Sequence, residues 1–144
     1  MRKMALLLIL VSFTKIASLE FEVDHQDIFA YGPTGVSGNY TTMMKLIIAY
    51  SKNRDAENDF YMLTTMHNAN IQLYGLVGLK IVGSKRFEEC KALMLKSEDS
   101  VLYGNGCRVN KDSVKNIVND IANSKVTDFL RKEDVPNESV KPSP

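Results

Sequence analysis

The segment 70–82, Asn-Ile-Gln-Leu-Tyr-Gly-Leu-Val-Gly-Leu-Lys-Ile-Val, is apolar on nearly every side. Wound as a helix it leaves no polar stripe for solvent, so other elements must surround it. Gly75 and Gly78 lie three apart on one face of that helix. Each costs up to about 1 kcal/mol of helix propensity relative to Ala, and close approach of a neighbouring backbone is the natural compensation. Gly83 reads as the C-terminal stop and Ser84 as the cap of the next element.

The neighbours are legible by period. In 41–50, Met43, Leu46, Ile47 and Tyr50 share a face behind the N-cap candidates Thr41 and Thr42. In 55–67, Ala56, Phe60, Leu63 and His67 form one stripe, with Asp55, Glu57 and Asp59 in the first turn where the helix dipole favours them. The short turn between these two segments predicts an antiparallel hairpin. Segment 85–97 aligns Phe87, Cys90 and Met94, and 112–123 aligns Val114, Ile117, Val118 and Ile121. The stretch Val101-Leu-Tyr-Gly-Asn-Gly-Cys107 reads as a loop whose glycines permit positive φ. The expected fold class is all-α, about five short helices in antiparallel hairpins.

Around this helical domain, placed at 41–126, the chain divides into three further parts. Residues 1–18 have the order of an export signal: the basic Arg2-Lys3, a short apolar run, and the small Ala17-Ser18, so that the mature chain is expected to begin at Leu19. The run is too short to span a bilayer, and no Cys follows it, so no stable membrane anchor is expected after signal removal. Residues 19–40 read as an extended arm in which Phe21 and Val23 alternate with charges, a weak edge-strand pattern. Residues 127–144, with three prolines after Asp134, read as a disordered tail.

Export implies a secreted or periplasmic location and changes how the two cysteines read. In an oxidising compartment Cys90 and Cys107 are expected to form a disulfide, worth about 3 kcal/mol on the chain-entropy model. Loss of Arg2, Lys3 and Lys15 would move the formal net charge from +1 to about −2. A near-neutral surface lacks the basic face of a nucleic-acid binder, so no nucleic-acid partner is expected.

At the Tyr74-Gly-Leu-Val-Gly-Leu-Lys80 helix, the Phe87 helix and the Gly106-Cys107 step into a last amphipathic helix, the chain resembles a group of small, uncharacterised exported bacterial helical proteins. The likeness covers roughly 28–122 and includes the arm Phe29-Ala-Tyr-Gly-Pro-Thr-Gly35. In style it is similar to HEAT-like helical hairpins. The resemblance implies a packing scheme and brings no catalytic residues with it.

Candidate chemistry is sparse. His67, at a helix end on the apolar stripe, reads as a core or capping histidine before it reads as a base. His25 between Asp24 and Asp27 faintly suggests a metal site, but three adjacent polar residues lack the convergent ligands such a site needs, so no metal and no cofactor are expected. Gly78-Leu-Lys-Ile-Val-Gly-Ser-Lys85 comes close to a phosphate-binding loop, with Lys and Ser in the wrong order and a helix where a strand and loop are required. Lys80, Lys85, Arg86, Lys91 and Lys96 read as a solvated basic face. Asn39-Tyr-Thr41 and Asn137-Glu-Ser139 match the N-glycosylation pattern.

A specified core without a convergent acid, base and nucleophile points to a small exported domain that binds another protein, as an adaptor or as an inhibitor or immunity-like protein, and not to an enzyme. The alternative is a hydrolase in which the fold joins His67 or His25 to carboxylates. Aromatic residues beside glycines supply the expected binding residues, Tyr31 in the arm and Tyr103 in the Tyr103-Gly-Asn-Gly106 loop.

Overall fold

The computed structural model describes residues 28–32, 39–130 and 134. The expected signal at 1–18, His25 and most of the tail lie outside them. In chain order the elements are β1 (Ile28–Phe29), α1 (Thr42–Tyr50), α2 (Ala56–Thr64), α3 (Ala69–Ile81), α4 (Phe87–Met94), β2 (Ser100–Asn105), β3 (Arg108–Ser113), α5 (Val114–Asn123) and α6 (Val126–Phe129).

The helices begin and end where side chains can serve the backbone. Thr41 caps α1 by accepting from the Met44 N–H at 3.2 Å. α2 stops at Thr64, short of the expected His67, because the hydroxyls of Thr64 and Thr65 donate to the carbonyls of Tyr61 and Met62, and Asn68 then starts α3 by accepting from the N–H groups of Asn70 and Ile71. α3 ends at Gly83 (φ +66°), with the Gly83 N–H on the Lys80 carbonyl and the Ser84 N–H on the Leu79 carbonyl.

α3 is the buried centre that its composition requires: Leu73, Tyr74, Leu76, Val77 and Leu79 are fully buried. The closest helix contact is with α2. A Cβ on Gly75 would lie 2.8 Å from the Phe60 carbonyl oxygen and the Thr64 nitrogen, so this glycine does face a neighbouring backbone; Gly78 instead faces the Phe60 ring, with ring carbons at 2.4 Å from a Cβ there. α5 closes the core with Val114, Ile117, Val118 and Ile121, and is capped by Ser113, which accepts from the Asn116 N–H.

The all-α expectation is corrected by a three-stranded mixed sheet, in the order β1-β2-β3. β1 pairs parallel with β2 (Ile28 with Leu102, Phe29 with Tyr103), and β2 pairs antiparallel with β3 from Ser100–Ser113 to Asn105–Arg108. The supposed loop is the first half of a hairpin whose turn is Gly106-Cys107. Gly106 has φ +58° at the first central position, the geometry that suits the twist of the two strands. The alternation that announces a strand is missing because β3 buries no side chain and β2 buries only Tyr103 and Gly104.

Two further differences concern the C-terminal end of the expected helical domain and its cysteines. Beyond Val126 the chain makes one more helical turn that buries Phe129 and Leu130 in the core. The expected Cys90–Cys107 disulfide is not formed. Cys90 is buried in α4 with its sulfur 3.4 Å from the Thr64 Oγ1, whereas Cys107 is exposed at the tip of the hairpin that replaces the expected loop.

Candidate interaction surface

The two faces of the sheet differ in chemistry. On the inner face Phe29 is fully buried, with ring centroids 4.7 Å from Tyr74, 6.0 Å from Tyr31 and 6.1 Å from Tyr103; Tyr31 in turn stacks on Tyr103 at 5.9 Å and meets the edge of Phe129 at 5.0 Å. The structure therefore brings the two expected binding residues together, as parts of one aromatic layer. Tyr103 is only 7% exposed, and burial, followed by a hydrogen bond with Tyr31, pushes its phenol well above the usual range. On the outer face the residues of opposite parity are open to solvent: Ile28 is 39% exposed, Leu102 43% and Val109 51%. Gly104 sits among them because a Cβ would lie 3.3 Å from the Ala30 Cβ and 3.4 Å from the Ile28 Cγ2.

The two edges differ as well. Just past β1, the Ala30 N–H donates to the Tyr74 hydroxyl at 3.2 Å, and that hydroxyl donates back to the Ala30 carbonyl at 3.3 Å. These are groups a further strand outside β1 would need, so a core side chain from α3 blocks that edge at Ala30. Burial raises the Tyr74 pKa, against the lowering effect of its bonds to Ala30 and Thr41.

At the other edge the register decides which groups face out. The Val114 N–H bonds to the Asp99 carbonyl. Alternation along the antiparallel ladder then turns the backbones of Asp112, Asn110 and Arg108 toward β2, and those of Ser113, Lys111 and Val109 outward. The Ser113 N–H is taken by the Asp112 carboxylate at 2.7 Å. Val109 and Lys111 are left presenting their backbone groups, beside exposed Arg108 and Asn110. Asp112, the one acid of the strand, also accepts from the Asn116 side-chain amide at 2.9 Å, whereas Arg108 and Lys111 make no ion pair among the described residues.

The remaining candidates do not converge. His67 is exposed in the α2–α3 turn, and no group of three or more His, Cys, Asp or Glu able to hold a metal ion occurs among the described residues. Of the basic face, Arg86 stacks over Tyr61 at 4.6 Å and donates to Asn58 at 3.1 Å, and Lys91 pairs with Glu88. Lys80 departs furthest from the solvated reading. Its Nζ donates to the carbonyls of Ile121 (2.5 Å) and Ala122 (2.6 Å) at the end of α5, with the Phe87 and Phe129 rings 5.4 and 5.9 Å away. Burial first, then Lys91, lowers its pKa.

Sequence reasoning missed the edge Arg108–Ser113. The available signal was the Asn105-Gly106 dipeptide between two stretches containing β-branched residues, a hairpin cue that the absence of apolar alternation outweighed. No helix among the described residues is long and apolar enough to cross a membrane. Comparison with protein-family models, curated proteins and solved structures gave no match.

Proposed function

We propose that this chain is an exported domain that binds another protein by accepting a strand of that partner at the β3 edge, and acts as an adaptor or as an inhibitor or immunity-like protein. One observation carries the reading: Tyr74 takes the outward backbone groups of Ala30 at one edge of the sheet from within the core, while the other edge presents the backbones of Val109 and Lys111 next to exposed Val109 and Leu102. Strand addition draws its affinity from main-chain hydrogen bonds and its specificity from alternate side chains, and the edge and the outer face offer these two parts side by side.

Lys111→Pro tests it. Proline at 111 removes an outward N–H and leaves the ladder to β2 intact, whereas Lys111→Ala removes the charge alone. Partners cross-linked to the chain in intact cells and identified by mass spectrometry should be lost with Lys111→Pro and kept with Lys111→Ala, both variants retaining the wild-type circular dichroism. Equal capture by all three proteins would sink the proposal. N-terminal sequencing of exported material checks the compartment; retention of Met1 would remove export from the reading.

A further inference from the structure

The open edge has specific requirements. A strand laid beside β3 must offer backbone partners to Val109 and Lys111, place apolar side chains next to Val109 and Leu102 on one side, and bring negative charge to Arg108 on the other, since Asp112 is already engaged by Ser113 and Asn116. This chain contains such a segment. In residues 19–24, Leu19, Phe21 and Val23 alternate with Glu20, Glu22 and Asp24, so an extended backbone carries one wholly apolar side and one wholly acidic side. With the apolar side next to Val109, the acidic side falls next to Arg108 and Asn110, whichever direction the strand runs.

We infer that residues 19–24 of a second copy of this chain occupy the β3 edge. This rests on the reading of β3 as a strand-accepting edge and names what it accepts. Reach argues for a second copy. Residue 24 is joined through residues 25–27 to Ile28, which lies in the strand at the far side of the sheet. A position outside β3 is three interstrand spacings from β1, about 14 Å. The four residue steps from 24 to 28 span about 13–14 Å only when pulled straight. A second molecule has no such constraint. At the near edge Tyr74 already holds both backbone groups of Ala30, so a strand added there could pair at Ile28 but not past it. Donor and acceptor lie on different parts of one chain, so the contact is head-to-tail: each copy gives one strand and receives one, and the assembly grows until it closes on itself.

The experiment uses the full-length chain, expressed with its own leader and purified in the form the cell leaves. Sedimentation from micromolar to near-millimolar concentration should show association that strengthens as salt is lowered. Phe21→Ser with Val23→Ser removes the donor's apolar side, and Val109→Asp spoils the acceptor; each protein should be monomeric alone and keep the wild-type circular dichroism. Mixed, they should form a heterodimer and stop there, since one partner still has an intact donor and the other an intact acceptor. Arg108→Glu should weaken association about tenfold at low salt and less at high salt. A synthetic peptide of residues 19–27 should dissociate the wild-type assembly.

A wild-type protein that stays monomeric throughout overturns the inference, as does association that survives the donor variant, which would mark a symmetric pairing of two β3 edges. If the donor variant and the peptide change nothing while Lys111→Pro still strips partners in cells, residues 19–24 are not the occupant and the strand-accepting reading stands without them.

Discussion

At the β1 edge the backbone of Ala30 is held by a hydroxyl that comes up from the centre of the protein; at the β3 edge the backbone is left to solvent among Arg108, Asn110 and Lys111. Both strands flank the same β2, so the difference lies in what backs them. β1 rests on the aromatic layer of Phe29, Tyr31, Tyr74, Tyr103 and Phe129, and Tyr74 can serve the Ala30 backbone only because α3 passes directly beneath. β3 buries none of its side chains, and its charges are the usual protection of an exposed edge against indiscriminate pairing. One edge is fixed by the core, and the other is kept soluble and available.

The contrast can be broken most forcefully at Phe29. Phe29→Ala should cost about 3–5 kcal/mol, read from urea unfolding, since the ring is fully buried between three others. Next is Tyr74→Phe, which keeps the ring but orphans the N–H and C=O of Ala30; a loss of about 1–3 kcal/mol is expected, and amide exchange at Ala30 should speed up.

A smaller effect separates the halves by pH. The Tyr103 phenol titrates above its unfolded value of 10.0, so its contribution to stability is complete below pH 10 and is lost as pH rises beyond it. Wild type should therefore lose stability above pH 10 more steeply than Tyr103→Phe, in melts run from neutral to alkaline pH. The smallest effects belong to the open edge: Val109→Ser should change stability by less than about 0.5 kcal/mol. In the native protein Cys107 should react at once with a thiol reagent, while Cys90 reacts only after unfolding.

How much of this was legible follows from burial. α1 to α5 could be placed from sequence because Met43, Ile47, Phe60, Leu63, Ile117 and Ile121 fall at helical spacing and each of them is buried. The sheet was not legible, since a strand that buries nothing writes no alternation, and pairing between Ile28 and Leu102 leaves no local trace. Phe129 and Leu130 escaped notice because two apolar residues among polar neighbours show no period. Tyr31 and Tyr103, expected to bind a partner, stack on each other in the inner layer; aromatic chemistry suits such a layer as well as an interface, and composition cannot separate the two. The disulfide was inferred from compartment and an even count of cysteines. Neither consideration contains the hairpin that carries Cys107 to an exposed tip.

The parallel pairing of Ile28 with Leu102 also orders events in time. A chain made or threaded from its N-terminus produces Phe29 and Tyr31 long before β2 exists to receive them. α1 to α4 can assemble from local contacts in that interval, whereas β1 must wait for a loop closure across most of the molecule, the kind of contact that slows folding. Until then Phe29 lacks its stacking partner Tyr103, and the strand remains unpaired. Sealing the aromatic layer therefore depends on a contact of long sequence separation, and a molecule that had not yet made it would leave Phe29 without Tyr103.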